Sequence, residues 1–182
     1  MDSLNFFFGL KAMRTPEVLE EPLPGTAIVY MSKHGTTQKV ALLIKMRLEE
    51  ENTIIIDLNE QKTIDLSQYE RVIIGGSIHM GRIQKEIKAF CLKNMETLKW
   101  KELGLFLCCM HDGMEAVEQF NFAFPSELRA AAKSKAMVGY ELHYDRMNFL
   151  DKAMTKRITG TAEFRSHINQ EEVNRFVNEL KQ

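Results

Sequence analysis

The stretch Ala27-Ile28-Val29-Tyr30-Met31-Ser32-Lys33-His34-Gly35-Thr36-Thr37-Gln38-Lys39-Val40-Ala41 joins an apolar run to the start of a helical pattern through hydroxyl side chains and one glycine. The run has the length and composition of a buried strand. Downstream, Val40, Ala41, Ile44 and Leu48 fall on one helical face, and Lys39, Lys45, Arg47 and Glu49 lie on the rest of the surface. A strand that passes through Ser32-Lys33-His34-Gly35-Thr36-Thr37 into a helix makes a cradle for phosphate. The helix start offers unpaired N–H groups and a partial positive charge, Gly35 lets the backbone come close, and Ser32, Thr36 and Thr37 add hydroxyl donors. The plainer reading of the same residues is a Ser/Thr cap on a crossover helix. The spacing fits neither GxxxxGK[ST] nor GxGxxG, so ATP and dinucleotides are not the first expectation.

Outward from this segment, apolar runs alternate with helical patterns. Strands are expected at Ala27–Tyr30, Thr53–Leu58, Arg71–Gly75, Gly104–Cys109 and Met137–Leu142. Several are apolar on both faces, as parallel strands covered by helices on each side must be. Helices are expected over Ile83–Leu98 and Pro125–Lys133, and over a last segment in which Val173, Phe176, Val177 and Leu180 keep an i, i+3, i+4, i+7 spacing. The alternation predicts a doubly wound α/β fold, a parallel sheet of five strands between two helical layers. Ligands of such sheets bind beyond the carboxyl ends of the strands, where the strand order switches.

The chain has 182 residues, enough for one domain with a full core. Lysine and arginine number 24 against 25 acids, a net charge of -1, so no global field draws it to nucleic acid or anionic lipid. Cys91, Cys108 and Cys109 show no metal-ligand spacing and read as buried thiols of a reducing, cytoplasmic setting, the two neighbours pointing to opposite faces of a strand. No apolar stretch approaches the ~20 residues that span a bilayer. Residues 1–25 read as an extension and linker. Phe6, Phe7 and Phe8 suit an arm packed on the domain, on the second subunit of a homodimer or weakly on a membrane surface. Pro16, Pro22, Pro24 and Gly25 break up the glutamate-rich residues between that arm and the first strand. The domain proper is expected over 26–182.

The pattern Ile28-Val29-Tyr30-x-Ser32-x-x-Gly35-x-Thr37-x-x-x-Ala41 resembles the flavodoxin signature at each constrained position. The resemblance implies FMN as cofactor and assigns its phosphate to Ser32, Lys33, His34, Gly35, Thr36 and Thr37. It places the flavin ring between the loops after the third and fourth strands, here Gly76–Arg82 and Cys109–Gly113. The expected ring contacts are Ser77, Ile78, His79, Met80 and Gly81 on one side, and Cys109, Met110, His111, Asp112 and Gly113 on the other. Neither loop has the tryptophan or tyrosine that often stacks on flavin in electron carriers. Met80, Met110, His79 and His111 stand there instead, which implies a more open ring.

Gly76-Ser77-Ile78 running through Gly81 is similar to the corresponding loop of the flavodoxin-like, menaquinone-dependent protoporphyrinogen oxidases. The segment Tyr140–Gly160, with its aromatic, basic and methionine residues, resembles the same branch more loosely. That branch implies oxidation of a porphyrinogen-type substrate with a quinone acceptor. The alternatives left open are an electron-transfer protein passing electrons between protein partners, and a flavin-free module that keeps the fold. His79 and His111 are candidates to hydrogen-bond flavin or carry a proton, or are solvated loop residues. Arg82 is read in the first turn of a helix, solvated or balancing reduced flavin, and Asp112 as a turn residue. Arg146, Lys152, Lys156 and Arg157 interleave with Phe149, Leu150, Met154 and Ile158, a basic amphipathic helix whose apolar face is expected to pack on the core. Its basic face would suit an acidic partner or a substrate carboxylate.

Overall fold

The computed structural model describes residues 25–142, 147, 149–160 and 165–182, so the expectations for the N-terminal extension and for Arg146 lie outside the described residues. In chain order the elements are β1 Gly25–Tyr30, α1 Thr36–Leu48, β2 Thr53–Asp57, β3 Tyr69–His79, β4 Arg82–Ile83, α2 Lys85–Lys93, α3 Met95–Leu98 and β5 Glu102–Cys108. They continue with α4 Gly113–Ala123, α5 Ser126–Ala131, β6 Ser134–Met137, β7 Gly139–Leu142, α6 Phe149–Thr159, β8 Arg165–Ile168 and α7 Gln170–Lys181.

Five parallel strands lie in the order β2-β1-β3-β5-β6, the three-layer arrangement expected from the alternation. Successive residues of β1 feed opposite faces. Ala27 and Val29 join Ile74, Leu105, Ile87, Phe120 and Leu128 in one core, under α2, α4 and α5. Ile28 and Tyr30 join Ile44, Phe106, Phe176 and Leu180 in the other, under α1 and α7. Burial on both faces explains why the strand has no polar alternation. Cys108 and Cys109 fall into different cores, as neighbours on a strand should. Helix α7 starts at Asn169, whose side chain accepts from the N–H groups of Glu171 and Glu172. It buries Val173, Phe176, Val177 and Leu180. The Arg71 guanidinium ties the strand ends together, pairing with Glu50 and Glu102 and donating to the Leu180 carbonyl.

Four expectations change. The third strand does not stop at Gly75 but continues to His79, where Ile78 and His79 pair with Ile83 and Arg82 of β4. The first ring loop is therefore a hairpin turning at Met80 and Gly81, both at positive φ (52° and 76°). Arg82 and Ile83 are strand residues, with the helix starting only at Lys85. The Gln84 side chain fixes the hairpin's base, accepting from the Ser77 N–H (3.0 Å) and donating to Ser77 Oγ (2.8 Å) and the Met31 carbonyl (3.3 Å).

Met137–Leu142 is not one strand. Its first residue ends β6, and β7 turns away into a separate antiparallel pair with β8. The break is at Gly139 (φ 78°), where a Cβ would stand 2.0 Å from the His167 carbonyl oxygen, so only glycine permits both the turn and the close approach. A helix not expected from the sequence, α4, fills Gly113–Ala123, packing Ala116, Phe120 and Ala123 inward. Finally, Phe149 is 84% exposed rather than in the core. The side chains of Leu150, Met154 and Ile158 lie outside the described residues. No described helix is long and apolar enough to cross a membrane.

Candidate flavin-binding site

A cavity of about 320 Å³ opens beyond the carboxyl ends of β1, β3 and β5, within the range that holds small-molecule ligands. Its first wall is the loop between β1 and α1. Gly35 takes φ 103° at the helix start, a conformation that a side chain would strain, and its N–H donates to Ser32 Oγ (3.0 Å). Among the described residues no side chain caps α1, so its N-terminal dipole and first N–H groups face the loop unshared. The reading of Ser32, Thr36 and Thr37 as a plain helix cap is thus not what the structure shows.

The hydroxyls differ in what they have to offer. Thr36 Oγ1 donates to the Glu141 carbonyl (3.1 Å), and Ser32 Oγ is held by Gly35. Thr37 is fully buried on the cavity wall, with Oγ1 beside the Cys108 thiol and no other described hydrogen-bond partner. A hydroxyl buried on such a wall is placed to bond a ligand's oxygen. Gln119 Oε1, from α4, is a second buried polar atom on this wall without a described partner.

The opposing walls are the hairpin and the segment after β5. Ser77, Ile78, His79, Met80 and Gly81 line one side, and Cys109, Met110 and His111 the other. Asp112 and Gly113, expected with them, do not line the cavity. Asp112 precedes α4 without capping it through its side chain, and Gly113 (φ 54°) is the first helical residue. Met80 is 71% exposed and Met110 38%, so the slot between them is apolar and open at its edge. His111 Nδ1 pairs with Glu115 Oε2 one turn into α4. Arg82 is exposed on β4 and, like Lys152, Lys156 and Arg157, does not line the cavity.

Burial pushes the Cys108 thiol up to about 12 and that of Cys109 to about 11, so both stay protonated at neutral pH. Cys109 Sγ lies 3.5 Å from the His111 carbonyl oxygen. Burial also raises the Tyr30 phenol to about 12, assisted by the Asp57 carboxylate next to it.

The fourth wall was not anticipated. Tyr140, Glu141 and Leu142 of β7, with Met147 and Asp151 of the segment carrying α6, close the cavity beside the β1–α1 loop. Glu141 has a fully buried carboxylate that accepts from Lys39 Nζ and Ser166 Oγ, both at 2.6 Å. Asp151 gathers three residues already expected at the site. Lys33 Nζ donates to its Oδ2 (2.7 Å), His34 Nε2 lies 3.4 Å from the same oxygen, and His79 Nε2 lies 3.1 Å from Oδ1. Lys33 Nζ also lies 2.7 Å from His79 Nε2, and the two imidazoles meet edge-on at 5.9 Å. Burial drives the Asp151 carboxyl up, but the Lys33 hydrogen bond and the charges of His79, Lys33 and His34 outweigh it and hold the acid below its ordinary value. The signals in the sequence were one acid inside the apolar run Met137–Leu142 and one acid inside an otherwise basic helix.

The site fits a phosphorylated ligand with a flat ring. It offers an uncapped helix start, a buried hydroxyl and an open apolar slot. In sequence, residues 27–167 match the model of the flavodoxin domain. No curated protein sequence matches the chain. Among solved structures, the chain is similar to a short-chain flavodoxin associated with a non-canonical PDU bacterial microcompartment. The two share 15% identity and a TM-score of 0.51, over 87% of this chain and 97% of that one. It is also similar to oxidised flavodoxin 1 of Bacillus cereus (18% identity, 86% and 97% coverage, TM-score 0.48). A third similarity is to a flavodiiron core from Synechocystis (20% identity, 64% of this chain, TM-score 0.44), of which the chain spans 29%. These structural likenesses concern the fold alone. The match across residues 27–167, on a sheet whose order switches beside the β1–α1 loop, makes the chain a member of the flavodoxin-domain family.

Proposed function

We propose that the protein binds FMN in this cavity and serves as a redox protein, oxidising an organic substrate of the porphyrinogen type and passing the electrons to a quinone. The observation that carries the reading is the convergence of the uncapped α1 start and the two apolar loops on one cavity. The α1 N–H groups and the Thr37 hydroxyl would hold the phosphate, Ile78, Met80 and Met110 would flank the ring, and Gln119 Oε1 would offer an acceptor to it. When bound, FMN supplies two-electron chemistry, while the chain supplies position, exclusion of water and charge. Among the described residues neither ring loop brings a tryptophan, tyrosine or phenylalanine to the slot, and its open edge leaves a flat substrate room to reach the flavin face. The free cysteines accord with a reducing, cytoplasmic setting.

The test has two stages. The purified protein should bind FMN at one site and much more tightly than riboflavin, and equal affinity would remove the phosphate-loop assignment. Mixed anaerobically with protoporphyrinogen and a menaquinone analogue, the FMN-loaded protein should then form fluorescent porphyrin faster than free FMN does. If it does not, while the reduced protein hands electrons readily to cytochrome c, the protein is an electron carrier.

A further inference from the structure

Both lysines next to the phosphate cradle are held by carboxylates, and both carboxylates belong to the segment between β6 and α7. Glu141 holds Lys39 at 2.6 Å, and Asp151 holds Lys33 at 2.7 Å. The two attachments differ in kind. The Glu141 side chain is fully buried, it also accepts from Ser166, and its carbonyl receives Thr36, so β7 is bonded into the α1 start. Asp151 is attached through Lys33, His34 and His79, and Lys33 is 43% exposed. Lys33 and His34 belong to the loop that would wrap a phosphate, yet their side chains are turned to an anion of the chain itself.

We propose that Asp151 is an internal competitor of the cofactor's phosphate, a latch that docks α6 on the β1–α1 loop and is released as a phosphorylated ligand loads. The inference rests on the reading of the loop as a phosphate site. A phosphate monoester carries about -1.5 to -2 charges at neutral pH, and in the loop it would share Lys33 and His34 with an ionised, nearly buried carboxylate. Two anions on one lysine at the edge of a low-dielectric cavity repel each other. Each therefore weakens the other's hold, and phosphate binding and α6 docking are linked reciprocally. Riboflavin has the same ring and no phosphate, so it leaves the latch shut.

The test compares wild type with Asp151→Asn, which keeps the shape and removes the charge. Titration of each apoprotein with FMN and with riboflavin should show FMN binding about tenfold tighter in the variant, within the usual span of such couplings, and riboflavin binding unchanged. In wild type, amide hydrogen exchange across Phe149–Thr159 should speed up on saturation with FMN and not with riboflavin. If Asp151→Asn binds FMN more weakly or equally, or α6 becomes better protected with FMN, the carboxylate positions Lys33 rather than competing, and the latch is overturned. If wild type shows no preference for FMN over riboflavin, the phosphate reading falls first and the latch with it, so the two failures are told apart in the wild-type data alone.

Discussion

Replacing Lys39 with methionine tests the contact that bonds the β7–β8 pair to α1. Methionine keeps the length of the stem and removes the ammonium that stands 2.6 Å from the fully buried Glu141 carboxylate. Breaking a buried pair from one side costs about 3 to 5 kcal/mol. Because Lys39 is 52% exposed and water can reach into its place, the lower end applies, about 3 kcal/mol. For a chain of this size that lowers Tm by roughly 6 to 12 °C. Adding Glu141→Gln removes the stranded charge, so the double variant should recover about 2 kcal/mol of coupling. The assay is urea unfolding of the four apoproteins at neutral pH, with unchanged m-values as the check that the transition remains two-state. If Lys39→Met lies within about 0.5 kcal/mol of wild type, or the double variant is no more stable than Lys39→Met, the buried ion pair does not fasten this part of the fold.

Gly75→Ala should destabilise by about 1 to 3 kcal/mol or more, because a Cβ there would sit 1.9 Å from the Phe106 ring. A second change, Phe106→Leu, should return part of the loss in thermal unfolding. Asp151, Glu102 and Glu179 are all held below ordinary carboxyl values, so the unfolded chain takes up more protons than the folded one in acid. Their contribution is present above the unfolded pKa of about 4 and is lost as pH falls through the folded values, so stability should decline below about pH 4 in equilibrium unfolding. Arg71→Met should flatten that decline. Burial holds Cys91 and Cys108 at about 12 and Cys109 at about 11, so alkylation at pH 8 should be slow for all three and become fast only in denaturant. A chain beginning at Gly25 should fold and bind FMN as the full chain does, and loss of flavin from it would place residues 1–24 in the site.

The layers and the turn from β1 into α1 were legible in the order of residues. Ala27–Tyr30 can only be a strand buried on both faces, Val40 to Leu48 and Val173 to Leu180 repeat with the helical period, and Gly35 stands where the chain must turn into α1. These are local properties: a few consecutive residues state their periodicity or their backbone freedom without reference to the rest of the chain. Where the sequence misled, the deciding contact was remote. The run Met137–Leu142 has the composition of one strand, but it is cut by Gly139 facing the His167 carbonyl 28 residues on. The loop after Gly75 is drawn into a hairpin by Gln84, and Gly113–Ala123 turns helical with only a narrow inward face. The fourth wall lay furthest from view. An acid in a strand and an acid in a basic helix say only that each needs a partner. Which partners they find, Lys39 for Glu141 and Lys33, His34 and His79 for Asp151, depends on chain segments more than 70 residues apart being folded against one cavity, and no local pattern of residues encodes that meeting.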